Sequence, residues 1–309
     1  MIDINLLVVY GGNTIESNYS VKAYEYISSK LKKKFKNVYG LNILDIVENL
    51  HEKKLNTILK NTDVAISVVY GLPGQEGEIQ GIFDLYGINY IGSGVLACSV
   101  IKDKKFFKDF CKINSINVPK DLSLSKDKLN EGLLDNLKKI TYPVVVKPRK
   151  KGGLSLGISY CVSEDELLDA IEKAFAYDEN VIVEEYINGI EITACVFNDK
   201  VLPLIEIEKQ NKILDYHTKI NGIRKNIIPA NIDNYLYKKI ENQVMKIFKY
   251  LNMKDWGYFD IMIKDNQIYF IEAGAVPGMT ASSSIPILLN YLNIDIGNVL
   301  QEIILKNMK

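Results

Sequence analysis

The chain has 309 residues, enough for two or three packed units rather than a single core. Hydrophobic residues at 47% and charged residues at 25% are ordinary for a globular protein, and 38 basic residues balance 38 acidic ones. That balance supplies no global field for DNA, RNA or an anionic membrane, which argues mildly against nucleic-acid binding. No stretch approaches the roughly 18–20 apolar residues that cross a bilayer, and Met1-Ile2-Asp3-Ile4-Asn5 lacks a basic leader region. Cys98, Cys111, Cys161 and Cys195 are scattered without Cys-x-x-Cys spacing, and the histidines are His51 and His217 alone, a poor set for zinc. The expectation is a cytoplasmic protein with reduced thiols.

In chain order, residues 4–10 read as a buried strand broken by Gly11-Gly12, and a helix is expected over about 17–34. Residues 63–70 form a second apolar run, closed by Gly71-Leu72-Pro73-Gly74. A helical pattern over 76–86, a short strand over 89–91, Gly92-Ser93-Gly94 and a helix over about 96–114 follow. Strands alternating with helices predict a parallel sheet covered on both faces. From Val118-Pro119 the texture changes. A strand over 143–147 enters the basic loop Arg149-Lys150-Lys151-Gly152-Gly153, then come a helix over 164–177 and strands over 181–186 and 191–197. The last third offers a helix near 234–251, a β-hairpin over 257–272, a glycine/serine loop to Pro286 and further helical patterns. No internal repeat is visible.

The hairpin says most about chemistry. Phe259, Ile261 and Ile263 alternate with Asp260 and Met262, and Tyr269 and Ile271 alternate with Phe270 and Glu272. If the Phe259 and Ile271 sets share the core face, Asp260 and Glu272 share the other. A three-residue loop at Asp265-Asn266-Gln267 pairs Lys264 with Ile268 and sets Asp260 opposite Glu272, whereas a two-residue loop sends them to opposite faces. Paired carboxylates repel unless a cation lies between them. Oxygen-only ligation suits Mg²⁺, which takes one or two protein carboxylates and completes its shell from phosphates and water. Two solvated strand carboxylates are the equal alternative.

Lys147 ends an apolar strand, where a lysine can aim its charge into a cleft. Lys104 lies on the helix after Gly92-Ser93-Gly94, and Lys219 lies in the polar stretch 215–221. Among 38 basic residues, a solvated surface group is the commoner reading of any one lysine. Glu191 opens a strand after Asn188-Gly189, and a rim carboxylate is its plainer reading. The loop 149–153 suits phosphates, with a surface loop as the equal alternative. Neither a Gly-x-x-x-x-Gly-Lys-Ser/Thr loop nor a Gly-x-Gly-x-x-Gly fingerprint is present, so any nucleotide site is of another kind.

Taken in order, these segments resemble the D-alanine–D-alanine ligases of the ATP-grasp superfamily. The first carrying stretches are Tyr10-Gly11-Gly12-Asn13-Thr14-Ile15-Glu16, residues 74–81 and 90–97, and Asp103-Lys104. The later ones are residues 142–148 and 183–191, Asp215 to Lys219, Gly257-Tyr258-Phe259-Asp260, Ile271-Glu272 and Pro277-Gly278-Met279-Thr280. The resemblance implies an α/β chain with an ATP-grasp fold behind a Rossmann-like N-terminal α/β domain. It implies domains at 1–95, 96–183 (central lobe) and 184–309 (C-terminal lobe). Such ligases use ATP and Mg²⁺ to phosphorylate the carboxylate of one D-alanine, and the amine of a second attacks the acyl phosphate.

By matching position, Lys104 and Lys147 would contact ATP phosphates, the loop at Gly153 and Ser155 would cover them, and Lys219 would reach the γ-phosphate. Glu184 and the backbone near Ile187 would hold adenine, and Glu191 the ribose. Asp260 and Glu272 would hold Mg²⁺. Glu16 would take the ammonium of the first amino acid, and Gly278, Ser282 and Ser283 would approach the second. The implied partners are small amino acids, with no nucleic acid and no membrane. The family is usually dimeric through its N-terminal part, which leaves a homodimer open.

Five departures bear on the substrate. Tyr258 stands where the family has an oxyanion-stabilising arginine, one neutral donor in place of five charged ones. Gly274 replaces a metal-binding asparagine, and Leu154 a phosphate-loop serine, with Ser155 beside it after an apparent insertion at Gly152-Gly153. Ile220 replaces the tyrosine after Lys219, and Tyr70 replaces a histidine. Most ATP-side groups remain. The readings are an active carboxylate–amine ligase on the same or other amino acids, a nucleotide-binding homologue without catalysis, or a ligase using a hydroxyl or thiol nucleophile.

Overall fold

The computed structural model describes residues 1–128, 140–208 and 225–308. Its first sheet is built from β1 (Ile2–Tyr10), α1 (Ser17–Leu31), β2 (Phe35–Asn42), α2 (Ile43–Asn49), α3 (Lys53–Lys60), β3 (Val64–Ser67), α4 (Glu78–Tyr86) and β4 (Asn89–Ile91). The strands run parallel in the order β2-β1-β3-β4. Leu6 and Val8 point one way, against Ala23, Ile27 and Leu31 of α1. Leu7 and Val9 point the other way, against Ile43, Ile46, Leu59, Ile79 and Phe83. A strand buried on both faces must be apolar throughout, which is why β1 reads as an unbroken hydrophobic run. Strand β2 escapes the sequence reading because, as an edge strand, it keeps only Phe35 fully buried.

The expected single helix over 96–114 is two helices, α5 (Val95–Lys102) and α6 (Lys104–Ile113). The break is Asp103, whose backbone is extended and whose carboxylate accepts from the N–H groups of Lys105 and Phe106. An N-cap aspartate satisfies donors that the helix leaves open and starts a new axis, so Lys104 becomes the first residue of α6. Arg149 Nε donates to the same carboxylate at 2.6 Å and ties the basic loop to that break.

A second, antiparallel sheet in the order β5-β8-β6-β7 comprises β5 (Asp121–Ser125), β6 (Val144–Pro148), β7 (Ser159–Cys161) and β8 (Asn180–Glu185). Helix α7 (Glu164–Phe175) covers one face, with Leu167, Ala170 and Ile171 packed on Val144, Val146, Val181 and Val183.

The third sheet, β12-β11-β9-β13-β14 with β10 on β9, comprises β9 (Ile190–Phe197), β10 (Lys200–Val201), β11 (Ile205–Glu208), β12 (Lys225–Ile227), β13 (Trp256–Lys264) and β14 (Gln267–Gly274). Between β12 and β13 runs α8 (Asn234–Tyr250), and α9 (Ser284–Tyr291) and α10 (Ile296–Asn307) follow β14. Alternation along β9 and β13 sends Ile192, Ala194, Phe259 and Ile261 to a core shared with α5, α6 and α8. Cys195, Phe197 and Trp256 face the opposite way and join the core of the first sheet, α9 and α10. The parallel sheet and the third sheet therefore share one core, and the polar cleft opens along their junction. Among the described residues no helix is long and apolar enough to cross a membrane.

Candidate active site

Asp260 and Glu272 are direct partners in the β13–β14 ladder, though not by the expected route. The turn is the two residues Asp265-Asn266, both at positive φ (49° and 58°), with Lys264 opposite Gln267 rather than Ile268. Such a turn suits a two-residue hairpin, and alone it would separate the carboxylates. A bulge corrects this: Ile261 pairs Phe270 while Asp260 pairs Glu272, so Ile271 is the extra residue. The core face consequently carries Phe259, Ile261, Ile263, Ile268 and Phe270, and the expectation that Tyr269 and Ile271 belong to it fails. On β9, Glu191, Thr193 and Cys195 lie opposite Met262, Asp260 and Tyr258. Thr193 donates its hydroxyl to Asp260 Oδ1 at 2.9 Å and orients that carboxylate.

Lysines approach this pair from α6 and β6. Lys104 Nζ lies 3.9 Å from Glu272 Oε2. Burial lowers the Lys104 pKa, against the pull of Glu272. Lys147 forms an ion pair with Glu184 on the adjacent strand β8. One turn beyond Lys104, the fully buried Lys108 places its Nζ 2.5 Å from the other oxygen of Glu184. Burial raises the Glu184 pKa, but the two ammonium groups outweigh it and hold the carboxyl down at about 2. Ile187 is buried and Glu191 partly buried on the segment that leads from β8 into β9.

Two adjoining cavities share Glu16, Gln75, Tyr258 and Glu272. The first is also lined by Lys104, Gly153, Ser155 and Gly274. The second, of about 560 Å³, adds Thr193, Asp260, Gly278, Ser282 and Ser283. Lys147, Glu184, Ile187 and Glu191 line neither. A Cβ at Gly153 would run into the carboxylate of Glu16, so the basic loop approaches the start of α1 as closely as backbone allows. Ser155, buried just beyond that loop, sits at φ 67°, a conformation that costs a non-glycine residue.

The far wall is a hydroxyl web. Thr280 N–H donates to Ser283 Oγ at 3.0 Å, and the Thr280 hydroxyl lies 2.8 Å from Ser283 Oγ and 3.2 Å from Ser282 Oγ. Tyr70, in place of a histidine, clamps the preceding loop: its hydroxyl accepts from Met279 N–H at 2.9 Å and donates to the Pro277 carbonyl at 3.4 Å. Burial and then Glu272, Asp260 and Glu16 push the Tyr258 hydroxyl well above the usual tyrosine range, so it is a neutral donor.

Among the described residues no group of three or more His, Cys, Asp and Glu side chains is arranged to hold a metal alone. The facing pair Asp260 and Glu272 nevertheless fits Mg²⁺ that draws its other ligands from phosphate and water. Lys219 and Ile220 lie outside the described residues, as does the side chain of Leu154. Sequence reasoning missed Lys108 and Thr193. Thr193 was findable two residues beyond Glu191 on the same strand face, and Lys108 at four residues from Lys104 on one helix face.

A polar cleft at the junction of a parallel α/β unit and an antiparallel sheet, covered by the loop of a second antiparallel sheet and holding a lysine beside paired carboxylates, defines an ATP-grasp protein. A family model described as D-ala D-ala ligase C-terminus matches residues 112–305. The chain is 32% identical over 311 residues to the D-alanine--D-alanine ligase of Fervidobacterium nodosum, covering 96% of each chain. It is also 32% identical over 315 residues to that of Carboxydothermus hydrogenoformans, covering 98% of this chain and 97% of the other. The solved structure of the Bacillus anthracis D-alanine--D-alanine ligase complexed with ATP superimposes with a TM-score of 0.82 at 26% identity, covering 99% and 97% of the two chains. The VanG D-Ala:D-Ser ligase of Enterococcus faecalis gives the same TM-score of 0.82 at 26% identity, covering 98% and 99%. The chain belongs to the D-alanine–D-alanine ligase family.

Proposed function

We propose that the chain is an ATP-dependent, ADP-forming ligase that activates the carboxylate of one amino acid as an acyl phosphate and joins it to the amine of a second. D-Alanine is the first candidate for both, from the names of the relatives. The observation that carries this reading is Asp260 facing Glu272, with Lys104 at 3.9 Å from Glu272, where the cavities holding Glu16 and Ser283 meet. Phosphoryl transfer is run mainly by positioning and charge neutralisation, and this is a site of positioned charge.

In this reading Asp260 and Glu272 hold Mg²⁺, which neutralises phosphate charge. Lys104 and Lys147 face the phosphates, with Lys219 at the γ-phosphate and Gly153 and Ser155 in the loop above. Glu184 and the backbone near Ile187 border adenine, and Glu191 holds the ribose. Glu16 holds the ammonium of the first amino acid, and Gly278, Ser282 and Ser283 receive the second. Tyr258 donates its phenolic proton toward the developing oxyanion. We assign the chain to the cytoplasm and to cell-wall precursor synthesis, as a homodimer through the N-terminal part. We divide it at 1–95, 96–183 and 184–309.

A second reading keeps the chemistry and changes the amino acid. Tyr258 and Gly274 reshape the wall between the two cavities, and the D-Ala:D-Ser ligase is as similar in fold as the D-alanine ligase. The experiment is ADP release from ATP with Mg²⁺ across a panel of D- and L-amino acids, with products identified by mass. A D-alanine dipeptide supports the first reading and a different product the second. ATP binding without turnover across the panel would overturn both in favour of a nucleotide-binding homologue.

A further inference from the structure

Lys108 is a charged side chain without a role in the reading above, and its burial is complete. A methionine would fill similar volume without desolvating a charge, which is ordinarily the less costly choice for a core. Lys104 and Lys108 are one helical turn apart on α6 and so share a face. Lys104 reaches Glu272 of β14, and Lys108 reaches Glu184 of β8, with its Nζ 2.5 Å from Oε2. The other oxygen of Glu184 takes Lys147. Asp121, opposite Glu184 in the β5–β8 ladder, is engaged by Lys105 and Lys112 and acts on Lys108 less than Glu184 does.

The count of charge is the point. Lys147 and Glu184 alone would be a neutral pair, presenting little field to an anionic ligand. Burial lowers the Lys108 pKa against the pull of Glu184; with Lys108 protonated, two ammonium groups share one carboxylate and the trio keeps one positive charge. We propose that Lys108 is a positioning residue for the nucleotide: it takes up the charge of Glu184 and thereby leaves the Lys147 ammonium available to a phosphate. This inference rests on the nucleotide reading of the cleft. Low effective dielectric makes one such charge count strongly at this depth. The low pKa of Glu184 agrees with a carboxylate that serves two cations.

The test is calorimetric titration of ATP with Mg²⁺ into wild type, K108M, E184Q and K108M/E184Q, each first shown to be folded by circular dichroism. K108M should weaken ATP binding about tenfold or more and raise the KM for ATP without raising that for the amino acid. K108M/E184Q removes the carboxylate along with its neutraliser, and glutamine keeps an oxygen acceptor beside the adenine. It should recover most of the loss. ATP affinity in K108M equal to wild type, or a double variant no better than K108M, would overturn the proposal. Where K108M does not fold, K108M/E184Q is compared with E184Q alone: equal ATP affinity supports the proposal, because Lys108 then acts only through Glu184, and a further loss on adding K108M overturns it. Failure of the wild type to bind ATP would instead overturn the nucleotide reading itself.

Discussion

The phenol of Tyr258 lies across Gly274, its partner in the β13–β14 ladder, so closely that a Cβ at position 274 would collide with the ring edge. Two sequence departures are therefore one packing event: the ring occupies the space in which an asparagine would extend toward the carboxylates. Restoring asparagine alone (Gly274→Asn) should strain the hairpin by about 1–3 kcal/mol, the usual cost of overpacking. Pairing it with Tyr258→Arg should recover much of that, because the ring is what it strikes. Urea unfolding of the wild type, both single variants and the double completes the cycle. Additive effects would show that the two positions are independent after all.

Tyr258 should act as a neutral donor over the whole working range. Burial, with the carboxylates of Glu272, Asp260 and Glu16, opposes the phenolate, so the proton stays on well above the ordinary value of 10. Tyr258→Phe should lower kcat by about 10²–10³, the typical effect of deleting an oxyanion donor, while leaving ATP affinity in place. The wild-type rate should show no loss up to pH 10 from ionisation of this group. A Phe variant as fast as wild type would remove Tyr258 from the chemistry.

The first sheet was legible because strands buried on both faces must be apolar, and Leu6 to Val9 are. The facing of Asp260 and Glu272 was legible only in outcome. Sequence showed period-two alternation, but a bulge at Ile271 costs no distinctive residue, and it shifted Ile268 and Phe270 to the core in place of Tyr269 and Ile271. The break at Asp103 could have been read, since aspartate before a lysine-rich amphipathic run is a capping residue. The spacing of Lys108 from Lys104 put both on one helix face, but its pairing with Glu184 needed β8 to be placed beside α6. The coupling of Tyr258 to Gly274 likewise needed a register, because sixteen positions apart in sequence carry no sign of contact.

Gly153 stands against Glu16 with no room for a side chain. Gly153→Ala should therefore push the Glu16 carboxylate aside or lift the loop. Glu16 is proposed to hold the ammonium of the first amino acid, so the expected effect is a raised amino acid KM. ATP affinity should change less, since Lys104 and Lys147 on α6 and β6 carry the charge that faces the phosphates and the loop only covers them. Initial rates with each substrate varied in turn separate the two. An unchanged amino acid KM would break the link between the loop and Glu16.

Glu184 supplies a pH signature for the buried trio. Burial would raise its pKa, but Lys108 and Lys147 carry it from an ordinary 4.5 down to about 2 in the folded protein. A carboxyl with a folded pKa below its unfolded one contributes stability that is complete above the unfolded value and is lost as pH falls through the folded one. Glu184→Gln removes that contribution and leaves two buried ammonium groups facing an amide, a change that should cost about 3–5 kcal/mol near neutral pH. The difference in unfolding free energy between wild type and E184Q, measured in urea, should shrink steadily as pH falls from 4.5 to about 2. Other carboxylates titrate in both proteins and cancel in the comparison, so the shrinkage reports on this one group. A difference that stays constant down to pH 2 would mean that the two lysines do not hold Glu184 ionised, and the charge count assigned to the trio would fail with it.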